Sequence, residues 1–302
     1  MGFLFALLAA IFASSSNYCL RRSMDNRGSA RAFLVVQSTF SFFVMILLNP
    51  LRMHDFVWNN RVATLGLFGG LILGLLLWGI GKSLEKGPPA LTLAVINASS
   101  IMPALVLFLF FGIHYGHSYT LWNGFGSMIV ILGLFWAGHT SIKNEKWRSW
   151  TFFSTMSFVL HALFMIYLSW WAMVLTSSLP LGPLLPFHIE TAHVHWFMPA
   201  LFFIAALFQL GVYLTQEKSM IKGSEFIYGV FGGLANGMCA FFLVKAPQVA
   251  SGWQNAMLFP LYSVSGIVFC NIWSQLVYKE KVNWKANTIC IAGLIIGTVI
   301  VD

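Results

Sequence analysis

Apolar residues in this chain gather into ten long runs, roughly 2–20, 32–50, 62–81, 89–112, 120–139, 150–176, 196–215, 224–244, 254–277 and 286–301, divided by mostly short polar stretches. A helix crossing a hydrocarbon core needs about 20 mostly apolar residues. Ten such helices would use about two thirds of the 302 positions. The pattern therefore predicts an all-α integral membrane protein of ten transmembrane helices, with no room for a soluble domain. Short connections make consecutive helices antiparallel neighbours. The exception is the sixth connection, about 177–195, which carries Pro180, Gly182, Pro183 and Pro186 near the middle of the chain.

The polar residues between the runs are sorted by parity. Of the 17 basic residues, 14 lie in odd-numbered connections, and the even ones carry only Arg52, Arg61 and Lys245. Basic residues stay on the cytoplasmic side during insertion, so this split orients the chain with both termini outside the cytoplasm, in a cytoplasmic (inner) membrane. The formal charge of +8 is thus an insertion signal. A nucleic-acid footprint would need clustering on one surface. Composition agrees: 58% of residues are hydrophobic and 9% charged, where a soluble domain carries about 25% charged residues. The run Gly2–Ser16 has no basic residue ahead of it and is expected to be a retained helix, not a signal peptide. Cys19, Cys239, Cys270 and Cys290 lie in or beside apolar runs and suit packing, not a disulfide framework.

Two halves resemble each other. Phe68-Gly69-Gly70-Leu71 recurs as Phe231-Gly232-Gly233-Leu234, 163 positions on, and Gly74/Gly237 and Lys82/Lys245 keep that offset. Trp122/Trp284 and Gly133/Gly297 stay within one position of it. The offset covers five helices, an odd number, so the second half enters the membrane upside down relative to the first. The expected organisation is one five-helix repeat over 1–140 and a second, inverted repeat over 150–302, the loop at 177–195 lying within the second half. Inverted repeats are an architecture of secondary transporters, with substrate near the midplane between them.

A five-helix repeat given twice in about 300 residues resembles the drug/metabolite transporter superfamily, in its ten-helix EamA-like branch. That repeat often has a Pro in its fourth helix and a Glu at the helix end some fourteen residues later. Here the first half has Pro103 followed by His117, and the second has Gly266 followed by Glu280. Each half keeps one element of the motif. Ten-helix members usually have both ends in the cytoplasm, whereas the charges of this chain place them outside. The resemblance implies transport of a small molecule, and a basic residue in contact with substrate in the phosphate- and nucleotide-sugar-carrying branches.

The substrate-site candidates follow from polar residues inside apolar runs. Asn97, Ser99 and Ser100 precede Pro103, which breaks the helix ladder and frees a carbonyl, an arrangement tolerated where backbone lines protein or a water-filled cavity. Pro260 with Tyr262 and Ser263 stands at the equivalent place in the second half. Asn17, Tyr18, His161 and Asn236 add single polar positions. Each alone would serve for interhelical hydrogen bonding; together they suit a mostly neutral cavity that reads hydroxyls or amides. Glu225, Lys82 and Lys245 are candidates for gating or charge steering, against the plainer readings of a first-turn carboxylate and snorkelling lysines. None of the nine acidic residues falls in the middle of a run, which argues against a carboxylate-based proton antiporter of cations. His188, Glu190, His193 and His195 could ligate zinc. They match no established spacing, so the loop is taken as solvated or pH-responsive and no metal is assigned.

The expected function is a secondary transporter working by alternating access on a small metabolite, exchange without ion coupling suiting the missing central carboxylate. It would act as a monomer or homodimer in the lipid bilayer, without cofactor. A structural subunit of a membrane complex is the alternative. An intramembrane enzyme using the His188–His195 loop is weaker, because the chain has no paired carboxylates and no zincin-type motif.

Overall fold

The computed structural model describes residues 1–87, 89–115, 117–138, 147–176, 193–217, 219–279 and 282–299. Among them there are helices and no strands: α1 (Gly2–Asp25), α2 (Ala30–Ile46), α3 (Asn60–Lys86), α4 (Pro89–Ala98), α5 (Met102–Phe111), α6 (Leu121–Gly138), α7 (Trp147–Thr176), α8 (Phe197–Gln216), α9 (Gly223–Val249), α10 (Gly252–Tyr278) and α11 (Trp284–Val299). Among the described residues eight helices, counting α4 and α5 as one broken helix, are long and apolar enough to cross a membrane. α6 and α11 occupy the other two expected positions with 18 and 16 residues. The chain is a multi-pass membrane protein by this architecture.

Local chemistry sets the helix ends. Ser29 caps α2, its Oγ accepting from the backbone N–H groups of Arg31 and Ala32 at 3.1 and 3.4 Å. Gly112 ends α5 at φ 65°, a backbone conformation that side chains disfavour. Pro50 lacks an N–H, and the last turn of α2 widens there into a π-helical turn over Leu47–Leu51. Proline also explains the break between α4 and α5. Pro103 can donate to no carbonyl, and Ser99–Ile101 tightens into a 3-10 turn ahead of it. Pro260 differs: α10 runs through it without interruption, so the helix break expected there is absent.

The chain divides into two compact units, each drawn from both halves of the sequence. The first comprises residues 1–11, 82–177 and 242–302, and the second 12–81 and 178–241.

In the second unit α3 and α9 each offer a glycine face to a neighbour. A Cβ at Gly66 or Gly70 of α3 would collide with the backbone of Phe197 or Leu201 in α8, and one at Gly74 would lie 2.8 Å from the Phe208 ring. On α9, a Cβ at Gly229 would lie 2.6 Å from Val36 Cβ and 3.4 Å from Phe33 O. At Gly233 it would lie 2.6 Å from Gln37 O, and at Gly237 2.7 Å from Val44 Cβ, all in α2. The three glycine pairs are 163 apart, and the residues they meet (Phe33/Phe197, Gln37/Leu201, Val44/Phe208) are 164 apart. Small residues at these crossings let backbones approach, the usual route to dispersion contact between membrane helices.

In the first unit α6 packs along α11 in the same manner. A Cβ at Gly126 would lie 2.8 Å from Gly297 Cα, and one at Gly133 2.5 Å from Cys290 Sγ. Exchanging positions at an offset of 164 turns one contact into the other. Asn123 Nδ2 donates to Gly297 O at 2.6 Å across the same seam. An apolar cluster of Ala94, Ala98, Ile101, Val130, Leu134, Met257, Val264 and Leu294 fills the space beside it.

Candidate functional site

Four helical segments of the first unit converge at the 3-10 turn. The turn lifts Ser99 and Ser100 off the regular ladder, and both are fully buried. Ser100 Oγ donates to Asn97 O at 2.7 Å and accepts from Ser263 Oγ, on α10, at 2.6 Å. Ser99 Oγ donates to Ile96 O at 2.6 Å and lies 2.6 Å from His161 Nδ1, on α7. A hydroxyl has one proton to give. With the Ser99 proton assigned to Ile96 O, Nδ1 of His161 is the donor to Ser99 and Nε2 keeps its lone pair. Asn97 is half-buried and donates from Nδ2 to Leu93 O at 2.8 Å.

Sequence reasoning passed over part of this site. Ser154 and Ser157 lie two turns and one turn before His161 on the same helix, are 2% and 0% exposed, and their hydroxyls have no hydrogen-bond partner among the described residues. Their spacing puts them on the face of α7 that carries His161. Buried hydroxyls cost free energy unless satisfied, so this face favours a polar guest or water. The signal in the sequence was the interval of three and four residues from Ser154 to Ser157 to His161.

The structure brings Asn97, Ser99, Ser100, His161 and Ser263 together, with Pro103 and Pro260 buried on the same helices and Tyr262 half-buried beside Ser263. Asn17, Tyr18, Asn236 and Glu225 belong to the other unit. There Asn17 is exposed on α1, and the Arg22 guanidinium lies 5.9 Å from the Tyr18 ring centroid. Asn236 Nδ2 donates to Ser41 Oγ at 3.0 Å, and Ser41 in turn donates to Gly233 O at 3.0 Å.

Glu225 is 2% exposed in the first turn of α9. Its carboxylate accepts from Ser29 N at 2.5 Å and from Lys222 N at 2.6 Å. Ser29 Oγ also donates to Glu217. Glu225 therefore ties the α1–α2 turn to the start of α9. Lys82 and Lys245 sit inside the last turns of α3 and α9, because both helices run about five residues beyond the expected ends. Lys82 Nζ lies 3.3 Å from Glu85 Oε2 and Lys245 Nζ donates to Gln248 Oε1 at 2.8 Å, the two contacts being 163 positions apart.

Among the described residues no group of three or more His, Cys, Asp or Glu is arranged to hold a metal ion. His188, Glu190 and Glu280 lie outside the described residues.

No family model matches this sequence, and no curated protein does. Twenty-seven chains of solved structure do match its fold. One, described only as "Crystal structure of protein", aligns at a TM-score of 0.72 over 99% of this chain and 97% of its own, with 14% identity. That likeness is one of fold alone.

Proposed function

We propose that the chain is a secondary transporter of the ten-helix drug/metabolite type, built as two inverted five-helix repeats that alternate access for a small metabolite. The observation that carries the reading is the Ser100–Ser263 hydrogen bond, which joins two residues at the repeat offset of 163 inside a buried polar group. The glycine contacts of α3 with α8 and α9 with α2, matched position by position, support the same relation. Two copies with matched contacts can exchange conformations, which is what alternating access requires. The basic residues of the odd connections favour both termini outside the cytoplasm.

The substrate site is the group formed by Asn97, Ser99, Ser100, His161 and Ser263, extended by Ser154 and Ser157. Its donors and acceptors are uncharged hydroxyls, an amide and an imidazole. A neutral or zwitterionic metabolite bearing hydroxyl or amide groups is the class it fits. Lys82 and Lys245 are held by neighbours one turn away and draw charged solutes no closer than the helix ends.

Ligand-induced thermal stabilisation of the purified protein tests this, with anionic, neutral and cationic metabolites compared. A ligand at 100 times its Kd stabilises the folded state by about 2.7 kcal/mol. Neutral hydroxylated compounds are expected to raise Tm, and Asn97→Ala or Ser157→Ala to abolish the rise while leaving the unliganded Tm within a few degrees. A shift confined to anions and lost in Lys245→Gln would move the site to the helix ends. No shift with any class, together with copurification of a stoichiometric partner protein, would favour the structural-subunit reading.

A further inference from the structure

We propose that Asp55, His193 and His195 form a proton-operated latch between the α2–α3 and α7–α8 connections, fastened in acid and released as pH rises through the histidine range. Asp55 is 7% exposed. Its Oδ1 lies 2.9 Å from His193 Nδ1 and its Oδ2, itself buried, lies 3.5 Å from His195 Nδ1. Two imidazoles two positions apart thus address the two oxygens of one carboxylate. The carboxylate is presented from a tight turn: Asp55 N donates to Pro50 O at 3.0 Å, and His54 before it is left-handed at φ 52°. Trp58 and Trp196 pack edge to face at 5.2 Å across the same two connections.

The opposite end of this unit carries the same device without the titratable half. Ser29 and His193 are 164 positions apart, and Asp55 and Glu217 are 162 apart. Where His193 meets Asp55, Ser29 meets Glu217. A serine hydroxyl keeps its proton across physiological pH, whereas histidine changes charge between about pH 5 and 8. Only the Asp55 end carries an imidazole. Below that range two imidazoliums flank one carboxylate, and the pairing is charge-assisted. Above it the imidazoles no longer bring charge to the buried carboxyl group, an arrangement that favours opening toward water.

The other charged or titratable side chains of these connections, among the described residues, are Arg52, His54 and Arg61. All three are exposed, and the Arg52 guanidinium is turned over the Phe241 ring at 5.5 Å. Under the orientation proposed above, the latch faces the extracytoplasmic solution, and acid there would hold that end of the unit shut.

Hydrogen exchange on the full-length protein in detergent, at pH 5.5 and 8.0 and corrected for intrinsic rates, tests the latch without any substrate or flux. Peptides covering 50–58 and 193–200 are expected to lose about tenfold in protection at pH 8.0, the local-opening equivalent of one partly buried ion pair. Peptides covering 217–225 should not change. Asp55→Asn is expected to abolish the pH difference. His193→Gln/His195→Gln should show low protection at both pH values, and it serves if Asp55→Asn does not fold. Equal protection at the two pH values in the wild type, or a pH difference that persists in Asp55→Asn or in the double histidine variant, overturns the proposal. Either result leaves the transport reading standing, because no transported ligand enters the measurement.

Discussion

Ser100 and Ser263 stand 163 residues apart and share a hydrogen bond of 2.6 Å between their hydroxyl oxygens. In the inverted-repeat organisation proposed above, residues related by the repeat offset touch each other only near the axis that would relate the halves. Ile129 and Gly293, 164 apart, do so between α6 and α11, where a Cβ at Gly293 would lie 3.0 Å from Ile129 Cβ. On that reading the polar chain at the 3-10 turn occupies the place where a change in one half would be mirrored in the other.

Ser100→Ala and Ser263→Ala should each lower stability by about 0.5–1.5 kcal/mol, and the double variant by less than the sum. The Ser263 proton loses its acceptor in the first, and the Ser100 oxygen loses its donor in the second. A double-mutant cycle on Tm measures the coupling. Strict additivity would mean that the two hydroxyls do not interact.

Gly70→Ala and Gly233→Ala should each cost about 1–3 kcal/mol, because the new methyl group meets the backbone of Leu201 or Gln37 and not a movable side-chain tip. Gly211→Ala is the control. Nothing lies within 4 Å of its Cβ position, and replacing a helical glycine there should be neutral or favourable by up to about 1 kcal/mol. Thermal melts of the three variants check the contrast.

His117, in the connection after α5, is buried, and desolvation pushes its pKa down from 6.5 to about 4. The unfolded chain binds a proton there at a higher pH than the folded one does. Stability from this group is full above about pH 6.5 and falls as pH drops toward 4, by up to about 3 kcal/mol. His117→Gln should flatten the acid limb of a Tm-against-pH curve between pH 6.5 and 4. It should leave the pH response of the 193–200 segment untouched.

Glu225→Ala should destabilise by about 2–4 kcal/mol, since the N–H groups of Ser29 and Lys222 both lose their acceptor at a buried site. Glu225→Gln keeps one acceptor oxygen and should cost less than half as much. If this residue were chiefly a gate, both variants would alter flux at unchanged Tm, so Tm and flux measured together separate the two roles.

Helix positions were legible in the chain because membrane solvent demands one thing of every span, a continuous apolar run; eight of the expected runs hold helices long and apolar enough to cross a membrane, with α3 and α9 prolonged at their ends, and the fifth and tenth hold the shorter α6 and α11. The pairs Gly70/Gly233 and Gly74/Gly237 were legible as an offset, and their contacts give that offset a physical cause. Ser154 and Ser157 were not, since single hydroxyls in an apolar helix are normally absorbed by the preceding turn of backbone. Only the packed α7 shows that theirs are not. Asp55 with His193 was illegible for another reason: the partners are 138 positions apart, and nothing local in either segment points to the other. Lys82 and Lys245 were expected just at the helix ends, and lie a turn inside them because hydropathy falls before the helices stop.

The seam between α6 and α11 also sets a timetable for synthesis. Gly126 and Gly133 leave the ribosome long before Gly293 and Cys290, the residues that cover them. The second unit has all its segments once residue 241 is made, but the first must wait for α11. Until then the glycine face of α6 lacks the helix that covers it, so a nascent chain arrested before residue 284 has no partner for that stripe of small residues.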